Sequence, residues 1–471
     1  MNAPRPESSP ARAAAAFAAQ AAMRDARRLS FGLKERRAAL SSLARALRRH
    51  ERAIIAALDQ DFGKPAPEVM LTEILPVMHE IRHARRHLAR WMRPRRPRAT
   101  PGLFGASARV EMQAKGTCLI IAPWNYPLNL CFGPLVSCLA AGNSAVLKPS
   151  ELTPATSALI AKIVADTFDP TLVTTCEGGR EIAEALVDQP FDHVFFTGGI
   201  EAGRAVMSRA AQHPSPVTLE LGGKSPAVVG AGADVARAAR WIVFGKFANA
   251  GQTCIAPDHV LVHESRREEL VTALQKEMRR SYGRGTTSPH LARIVNDRHA
   301  ARLAALLDEA RDGGARITPD TVPEGRAFPP LVVEGPGAET GLMQEEIFGP
   351  LLPVESWTDE AEVIARINAG PVPLALYVFE KDSAAARRIL SATRSGGAGV
   401  NLTMAQFSHP GLPFGGLGAS GIGVAHGEYG FRTFSNERAV LENRFSPLPR
   451  LFPPWNAGKR ALIRFAARHL G

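Results

Sequence analysis

Cysteine is scarce in this chain and follows no paired spacing. Five cysteines occur in 471 residues, at Cys118, Cys131, Cys138, Cys176 and Cys254. An odd and scattered set excludes a disulfide framework and a zinc or redox pair of closely spaced cysteines. We therefore expect a reduced, cytoplasmic protein, and no histidine spacing predicts a metal site.

Charged residues are absent between Lys115 and Lys148, a stretch longer than the roughly 20 residues of a membrane-spanning helix. Prolines and glycines interrupt this stretch and would break a helix exposed to lipid. We instead expect a buried strand at 117–122, a loop at 123–127, a helix ending at residue 141 and a strand at 145–147. Arginines also interrupt the alanine-rich start, so we expect no secretory signal.

Acidic residues are few at the front of the chain. Residues 1–98 hold 21 lysines and arginines against 9 acidic residues, a balance equal to the net charge of +12 of the whole chain. The arginines alternate with leucines at helical spacing, which indicates amphipathic helices with a solvated basic face. Aromatic residues make up only 6% of the chain, too few for a base-stacking ladder. A nucleic-acid-binding scaffold therefore stays a minor alternative.

Short apolar strands alternate with helices from residue 117 onward, a pattern typical of parallel sheets with helical crossovers. We predict an α/β protein with two doubly wound parallel-sheet lobes, one for a cofactor and one catalytic, and a small antiparallel oligomerisation element. The predicted boundaries are 1–97 and 117–221 for the cofactor-binding domain, 98–116 and 425–471 for the oligomerisation element and tail, and 222–424 for the catalytic domain.

Two segments outside the lobes have patterns of their own. Residues 106–114 alternate like an exposed antiparallel strand. Residues 459–470 form a basic amphipathic pattern after a proline-rich tract. We expect this tail helix to dock on its own subunit or on a partner rather than on a membrane.

Cys254 lies in the turn Asn-Ala-Gly-Gln-Thr-Cys, which follows a predicted helix. An isolated cysteine is more often an inert buried residue than a nucleophile. This turn, however, offers exposure, a tight backbone and nearby N–H donors for an oxyanion, as a thiolate nucleophile requires. Cys254 is therefore the candidate nucleophile.

Two further segments carry candidate catalytic groups. Glu220 closes an apolar strand before a pair of glycines, and a carboxylate there is costly unless it is paired or functional. It is suited to act as a general base for water, with a helix-capping or ion-paired role as the alternative. Asn125 stands in Pro-Trp-Asn-Tyr-Pro at the carboxyl end of a strand, where ligands bind in parallel sheets. Its amide is suited to stabilise an oxyanion, with a plain turn asparagine as the alternative.

The chemistry of a dinucleotide site appears after two other strands. Lys148 and Glu151 are suitable partners for ribose hydroxyls. Gly198, Gly199 and Gly203 follow a strand and open a helix, whose first amides point towards an anion. The glycine spacing is not the G-x-G-x-x-G fingerprint and is weak alone.

A last segment places acidic and aromatic side chains before a Gly-Pro stop. Glu346 and Phe348 are suited to clamp a ribose and an aromatic ring. Taken alone, the segment would pass as a loop.

The six segments, in their order along the chain, together resemble the aldehyde dehydrogenase superfamily, most strongly from about residue 115 to 435. Pro-Trp-Asn-Tyr-Pro, Gln-Thr-Cys-Ile-Ala-Pro-Asp and Leu-Pro-Phe-Gly-Gly-Leu-Gly-Ala-Ser-Gly are most similar to the class 3 branch, and the basic tail resembles that of bacterial coniferyl aldehyde dehydrogenases. The resemblance implies a homodimer that oxidises aromatic, or medium- to long-chain aliphatic, aldehydes to carboxylic acids with NAD or NADP.

The resemblance also implies a role for each candidate residue. Cys254 attacks the carbonyl, Asn125 and the Cys254 backbone N–H hold the oxyanion, and Glu220 activates the water that resolves the thioester. The implied cofactor contacts are Trp124, Lys148, Glu151, Gly198, Gly199, Gly203, Leu221, Glu346 and Phe348.

Two positions bear on the cofactor. Gly199 and Ile200 stand where many relatives have Ser and Thr, which puts a hydroxyl contact to phosphate in doubt. Glu151 would repel a 2'-phosphate, so we expect NAD over NADP, although class 3 enzymes often accept both.

The substrate pocket and the competing enzyme class remain open at this stage. Candidates for an apolar substrate funnel are Trp124, Tyr126, Met404 and Phe407. A cysteine-dependent thioester hydrolase or acyltransferase is the alternative enzyme, and it leaves Lys148, Glu151 and Glu346 unexplained.

Overall fold

The computed structural model describes residues 8–469 except 99, 101, 102, 284 and 286. The strands of these residues are β1 (Ala106–Ala114), β2 (Thr117–Ile121), β3 (Ser144–Lys148), β4 (Val173–Thr175), β5 (His193–Thr197), β6 (Val217–Glu220), β7 (Pro226–Val229), β8 (His259–His263), β9 (Arg316–Thr318), β10 (Leu331–Glu334), β11 (Leu351–Trp357), β12 (Ala375–Phe379), β13 (Gly397–Val400), β14 (Gly421–Ile422) and β15 (Ser435–Asn443).

The helices of the described residues surround these strands, and a π-helical turn at Met70–Ile74 joins the fifth helix to the sixth. They are α1 (Pro10–Ala22), α2 (Arg24–Ser30), α3 (Leu33–Arg49), α4 (Glu51–Phe62), α5 (Ala66–Val69), α6 (Leu75–Trp91), α7 (Asn129–Ala141), α8 (Pro154–Thr167), α9 (Arg180–Val187), α10 (Ile200–Ala210), α11 (Val235–Phe247), α12 (Arg267–Tyr282), α13 (Asp297–Asp312), α14 (Gly341–Gln344), α15 (Glu360–Ala369), α16 (Ser383–Ala392), α17 (Gly427–Thr433) and α18 (Ala457–His469).

The strands form two large sheets and one small one. The first large sheet has the order β14-β6-β5-β2-β3-β4 and is parallel except for β14. The second has the order β13-β12-β7-β8-β11-β10-β9 and is parallel except for β9. Strands β1 and β15 pair antiparallel. The predicted α/β fold with two doubly wound lobes and a small antiparallel element is confirmed, and the one departure is an antiparallel edge strand in each large sheet.

Burial on both faces explains the charge-free stretch. Strands β2 and β3 are buried at every residue, without the alternation of a half-exposed strand, because helices cover both faces of a parallel sheet. Helix α7 between them is buried at twelve residues and contains Pro134. Its apolar residues therefore face protein and not lipid, and no helix of the described residues is long and apolar enough to cross a bilayer.

The front of the chain buries the predicted leucine stripe. Leu40, Leu43 and Leu47 of α3 are fully buried. The expectation of a wholly solvated basic face is wrong for Arg36, whose guanidinium donates hydrogen bonds to the carbonyl oxygens of Phe31 at 2.9 Å and Ala140 at 3.1 Å. Burial lowers the pKa of Arg36 to about 10. This side chain caps the carboxyl end of α7, where helix carbonyls lack partners.

The end of the chain does not pack into the lobes as one block. Strand β14 joins the first sheet, α17 packs on α6 and α7, and β15 extends the small sheet. Helix α18 is mostly exposed, and the side chains of Lys459 and Arg460 donate to carbonyls of Phe452 and Trp455 just before it. Residue 470, the last of the predicted tail helix, lies outside the described residues. The domain boundaries and the docking of the tail remain predictions.

Candidate active site

The parallel strands of the first sheet bring four predicted segments to one edge. Strands β6, β5, β2 and β3 are neighbours in that order, so their carboxyl ends share one edge of the sheet. Glu220, Gly198, Asn125 and Lys148 therefore line this edge. Such an edge is where open α/β sheets bind ligands.

The turn before Cys254 is held in an unusual conformation. Asn249, Ala250 and Gly251 have φ angles of 55°, 54° and 74°, and two of the three are not glycine. The left-handed conformation costs about 1–2 kcal/mol for a non-glycine residue, so neighbouring contacts must maintain it. The Asn249 amide donates to the carbonyl of Asn125 at 2.8 Å and to that of Gln252 at 3.1 Å. The turn is thus tied to the Asn125 loop.

Close packing fixes the same turn from the other side. A Cβ atom on Gly251 would lie 2.3 Å from the carbonyl oxygen of Gly349, so only glycine fits. The Gln252 amide nitrogen donates to the carbonyl of Arg293 at 3.1 Å, and its oxygen accepts the N–H of Val295 at 2.9 Å. The nucleophile loop is therefore anchored in the second lobe as well.

Asn125 lies across the Cys254 loop, as its predicted role requires. Its Nδ2 donates to the carbonyl of Gln252 at 3.0 Å, and the side chain is buried. An amide carries two N–H donors, so one remains for an oxyanion. Next to it, the hydroxyl of Tyr126 and Oγ1 of Thr253 lie 2.6 Å apart. Tyr126 and Thr253 therefore join the two loops, and they are the sequence neighbours of Asn125 and Cys254.

The thiol of Cys254 is half-buried and lines a pocket of about 230 Å³. Burial and the carboxylates of Glu346 and Glu220 raise the pKa of this thiol well above its ordinary value. The thiol is therefore neutral at rest and needs a base before it attacks, because the thiolate is the nucleophilic form.

Glu220 is a buried carboxyl group whose charge acts on the Cys254 thiol. Its Oε1 has no hydrogen-bond partner among the described residues. Burial raises the pKa of Glu220 to about 8. Among the described residues, the Glu220 side chain forms no ion pair and caps no helix. A carboxyl group with a pKa of about 8 is suited to exchange protons near neutral pH.

Glu346 is the other carboxyl group whose charge acts on the Cys254 thiol. A Cβ atom on Gly222 would lie 2.0 Å from Oε2 of Glu346, so the glycine after the Glu220 strand makes room for this carboxyl group. Its Oε1 is buried and unpaired among the described residues. Burial and the charge of Asp258 raise the pKa of Glu346 to about 8.

Phe348 and Trp124 form an aromatic corner near Glu346. Their ring centroids lie 5.3 Å apart in an edge-to-face arrangement, and the His299 ring lies 5.2 Å from that of Trp124, tilted by 48°. Phe348 has a φ of 49°. The guanidinium of Arg302 donates to the carbonyl of Ile347 and so holds this strained turn.

Sequence reasoning missed the ion pair that supports the Glu346 segment. The Lys224 ammonium pairs with Asp258 and donates to the carbonyls of Leu342 and Glu345 at 2.8 Å each. The other oxygen of Asp258 accepts the N–H of Ile347 at 2.9 Å. Asp258 ends the segment Gln-Thr-Cys-Ile-Ala-Pro-Asp noted above, and Lys224 directly follows the pair of glycines after Glu220, but spacing alone does not pair them.

The predicted cofactor residues fit a dinucleotide. Lys148 is buried and its ammonium lies 2.6 Å from the half-exposed carboxylate of Glu151. Gly199 begins α10 without a side-chain cap, which leaves backbone N–H donors for phosphate. A Cβ atom on Gly203 would lie 2.5 Å from Leu221, so glycine permits this close approach. The backbone donors at the start of α10 match the phosphates of such a group, and the buried oxygens of Glu346 and Thr197, which have no partner among the described residues, match its hydroxyls.

The pocket beside Cys254 is apolar and rich in aromatic residues. Three of the four predicted funnel residues, Tyr126, Met404 and Phe407, line it. Trp124 is not among the residues that line this pocket, and its ring packs on Phe348 and His299, so its place in the funnel stays a prediction. Aromatic lining residues that sequence reasoning missed are Trp241, Phe244 and Phe414.

Comparison with known proteins matches this geometry. A model of the aldehyde dehydrogenase family matches residues 3–440. The 4,4'-diaponeurosporen-aldehyde dehydrogenase of Staphylococcus aureus is 41% identical over 410 residues, which cover 86% of this chain and 88% of the relative. A coniferyl aldehyde dehydrogenase from a Pseudomonas species is 41% identical over 414 residues, 85% of each protein.

The class 3 branch and the fold are supported in the same way. Family 3 member H1 of Arabidopsis thaliana is 37% identical over 424 residues, 88% of this chain and 87% of the relative. The solved structure of substrate-bound Staphylococcus aureus AldH has a TM-score of 0.92 at 38% identity and covers 96% of this chain and 98% of that one.

Proposed function

The chain belongs to the aldehyde dehydrogenase family and is an NAD(P)-dependent oxidoreductase, and from this premise we propose that it oxidises aromatic aldehydes of the coniferyl type to carboxylic acids. The observation that carries the substrate class is the aromatic lining of the pocket at Cys254, formed by Tyr126, Trp241, Phe244, Phe407 and Phe414. Flat rings pack favourably edge-to-face or offset against such side chains. The coniferyl aldehyde dehydrogenase relative supports the same class.

Acylation uses the thiol and the two loops beside it. Sγ of Cys254 forms a bond to the aldehyde carbon while the thiol proton passes to one of the neighbouring carboxylates, Glu220 or Glu346. The carbonyl oxygen takes up the negative charge and accepts hydrogen bonds from Nδ2 of Asn125 and the backbone N–H of Cys254. A dinucleotide held by the residues named below would supply the two-electron oxidation by accepting the hydride that this adduct must lose to become a thioester.

Deacylation depends on Glu220. Its carboxylate takes a proton from a water molecule, whose oxygen bonds to the thioester carbon. The carbon–sulfur bond then breaks, and the products are the carboxylic acid and the free thiol of Cys254. The apolar surroundings that raise the pKa of Glu220 make its carboxylate a stronger base than an exposed glutamate.

Cofactor binding falls to the edge of the first sheet and to the second lobe. Lys148 and Glu151 would hold the adenosine ribose. The backbone N–H groups at the start of α10, just after Gly199, would hold the phosphates. Glu346 and Phe348 would hold the other ribose and its ring. We assign NAD as the preferred cofactor because the Glu151 carboxylate repels a 2'-phosphate. Glu151→Gln is expected to raise kcat/KM for NADP relative to NAD. Equal turnover of wild type with both cofactors would overturn the preference.

The deciding experiment follows cofactor absorbance with coniferaldehyde and with a medium-chain aliphatic aldehyde. Wild type is expected to reduce NAD with both and to favour the aromatic one by about tenfold in kcat/KM, the order of effect that pocket fit supplies. Cys254→Ser should abolish the reaction. Cys138→Ser is the matched control, because this residue lies in α7 outside the pocket lining and its Sγ donates to the Ser144 carbonyl at 3.5 Å.

Each failure has a distinct meaning. A preference for the aliphatic aldehyde would overturn the coniferyl-type assignment alone. No aldehyde-dependent reduction with either cofactor across a broad panel would leave a thioester hydrolase, an acyltransferase or a basic nucleic-acid-binding scaffold.

We propose further that the protein is a homodimer and that it is located in the cytoplasm. Strands β1 and β15 form a small sheet whose residues, apart from the buried Ser435, are half-buried or exposed in one protomer, which supports pairing with a second copy. All five cysteines are free, which supports a reducing compartment. Sedimentation of the purified protein tests the first point and fractionation of the source cell the second.

A further inference from the structure

A buried ion pair lies behind the two active-site loops, and the chemistry proposed above does not use it. Lys64 follows the end of α4, and Glu73 lies in the π-helical turn before α6. Nζ of Lys64 lies 2.8 Å from Oε1 of Glu73, and both side chains are fully buried. Taking two charges out of water is costly, and apolar residues of similar size often give equal or greater stability. Stability alone therefore does not account for the pair.

Both charges also contact the segment that carries Asn125. The second oxygen of Glu73 accepts the N–H of Asn129, the first residue of α7, at 2.9 Å. The Lys64 ammonium lies 3.9 Å from the centroid of the Tyr126 ring, within the range of a cation–π contact. Asn125 is thus the neighbour of a residue that the pair holds directly.

Tyr126 passes this contact on to the nucleophile. Its hydroxyl and Oγ1 of Thr253 lie 2.6 Å apart, and Thr253 precedes Cys254. Burial raises the pKa of Tyr126 further above its ordinary value, so the hydroxyl keeps its proton and the hydrogen bond persists. The path from Lys64 to the two reacting groups therefore runs through one aromatic ring.

Another acidic group borders the pair without joining it. Burial raises the pKa of Glu68 to about 7, against the opposing charge of Lys64. Glu68 therefore stays outside the pair, and Glu73, whose pKa burial raises against the opposing charge of Lys64, is the carboxyl group that accepts the hydrogen bond from Nζ of Lys64.

We propose that Lys64 and Glu73 are positioning residues: the pair fixes the Tyr126 ring and its bond to Thr253, and thereby holds the Asn125 amide and the Cys254 sulfur at the spacing that carbonyl attack requires. The inference rests on the roles proposed for Asn125 and Cys254. Misplacement of reacting groups by about 1 Å costs up to about a hundredfold in rate, whereas contacts to the substrate are shared by five aromatic lining residues, of which Tyr126 is only one.

The first test is steady-state kinetics of Lys64→Met. The variant is expected to lower kcat by about tenfold or more and to leave KM for the aldehyde within about threefold. Lys64→Arg keeps a cation over the ring and should recover most of kcat. The matched control is Lys162→Met, which breaks the exposed pair of Lys162 with Asp166 at 2.7 Å and should match wild type.

The second test asks whether Lys64 acts through Tyr126. In a Tyr126→Phe background, Lys64→Met should cost less than about threefold in kcat, because residues that act through one contact are not additive. Losses that simply multiply, with kcat falling in step with Tm, would show a merely structural role and overturn the proposal.

A variant that removes both charges guards against misfolding. Lys64→Met/Glu73→Gln leaves no unpaired charge in the interior and keeps an amide oxygen for the Asn129 N–H, so it is expected to fold. It should show the same loss of kcat. Wild-type kcat in this variant or in Lys64→Met refutes the positioning role, whereas a wild-type protein inactive on every aldehyde refutes the proposed function instead.

Discussion

Replacing Glu220 by glutamine separates the two halves of the proposed reaction. Glutamine has nearly the same volume but cannot take a proton from water, and loss of a general base slows the dependent step by about 10²–10⁴. Acylation can still proceed, because Glu346 remains as proton acceptor. The variant should accumulate an acyl group on Cys254, visible as a mass increase of the intact protein after mixing with aldehyde and NAD.

The pH dependence of deacylation follows from the pKa of Glu220. With a pKa of about 8, about one tenth of these carboxyl groups is ionised at pH 7 and about nine tenths at pH 9. The base form is lost as pH falls, so wild-type deacylation should rise about ninefold between these values. Glu346 has a similar pKa of about 8, and Glu346→Gln is therefore the control. The rise should persist there and vanish in Glu220→Gln.

Thermal unfolding gives a second, independent measure of the same group. The rise of the pKa from 4.5 to about 8 corresponds to about 5 kcal/mol for ionising Glu220 in the folded state. Because the folded-state pKa is the higher one, the stability that the neutral form contributes is complete below pH 4.5 and is lost as pH rises through about 8. Glu220→Gln should melt above wild type at pH 9 and close to it at pH 5.

Rapid steady turnover of Glu220→Gln without an acyl-enzyme would remove Glu220 from its proposed role. A wild-type rate that stays flat between pH 7 and pH 9, with unchanged Tm differences, would refute the claim that burial sets its pKa.

The remaining predictions concern the oxyanion donor and the cofactor lobe. Asn125→Ala is expected to lower kcat by about 10²–10³ with little change in KM, measured at saturating aldehyde, and a wild-type rate would exclude the amide as an oxyanion donor. Gly203→Ala places a Cβ atom 2.5 Å from Leu221 and should cost about 1–3 kcal/mol of stability through overpacking, as well as weaken NAD binding in calorimetric titration. Gly199→Ala is its stability control, since a Cβ there meets nothing within 4 Å; equal Tm values for the two variants would contradict the packing argument.

Much of the first lobe could be predicted because the apolar periodicity and the length of its segments indicate the same helices and strands. The strand predicted at 117–122 is β2, Thr117–Ile121, and the helix predicted to end at residue 141 is α7, Asn129–Ala141. Both have strong apolar patterns bounded by proline, glycine or polar residues, so local and tertiary preferences coincide. Strands β9 and β14, with three and two residues, are too short to produce a period and were not predicted.

The candidate site was predictable residue by residue but not as an arrangement. Cys254, Glu220 and Asn125 each stand in a segment whose chemistry is visible in the sequence. The support around them is not visible, because Lys64 and Glu73 look like ordinary charges of a basic, helical region. Their pairing depends on a π-helical turn and on burial, and neither leaves a periodic signal. Trp124 shows the same limit, since its partners lie far away along the chain.

The neutral thiol of Cys254 has a consequence for how the protein withstands oxidative stress. Peroxides and alkylating agents react with thiolates far faster than with thiols. The Cys254 sulfur is protonated at rest, and the charges of two carboxyl groups act on it. It is therefore a poor target for these reagents until the reaction with substrate removes its proton. Inactivation by peroxide should accordingly be slow in a neutral buffer and accelerate as the solution becomes alkaline, so that the same carboxyl groups that delay attack also preserve the enzyme between turnovers.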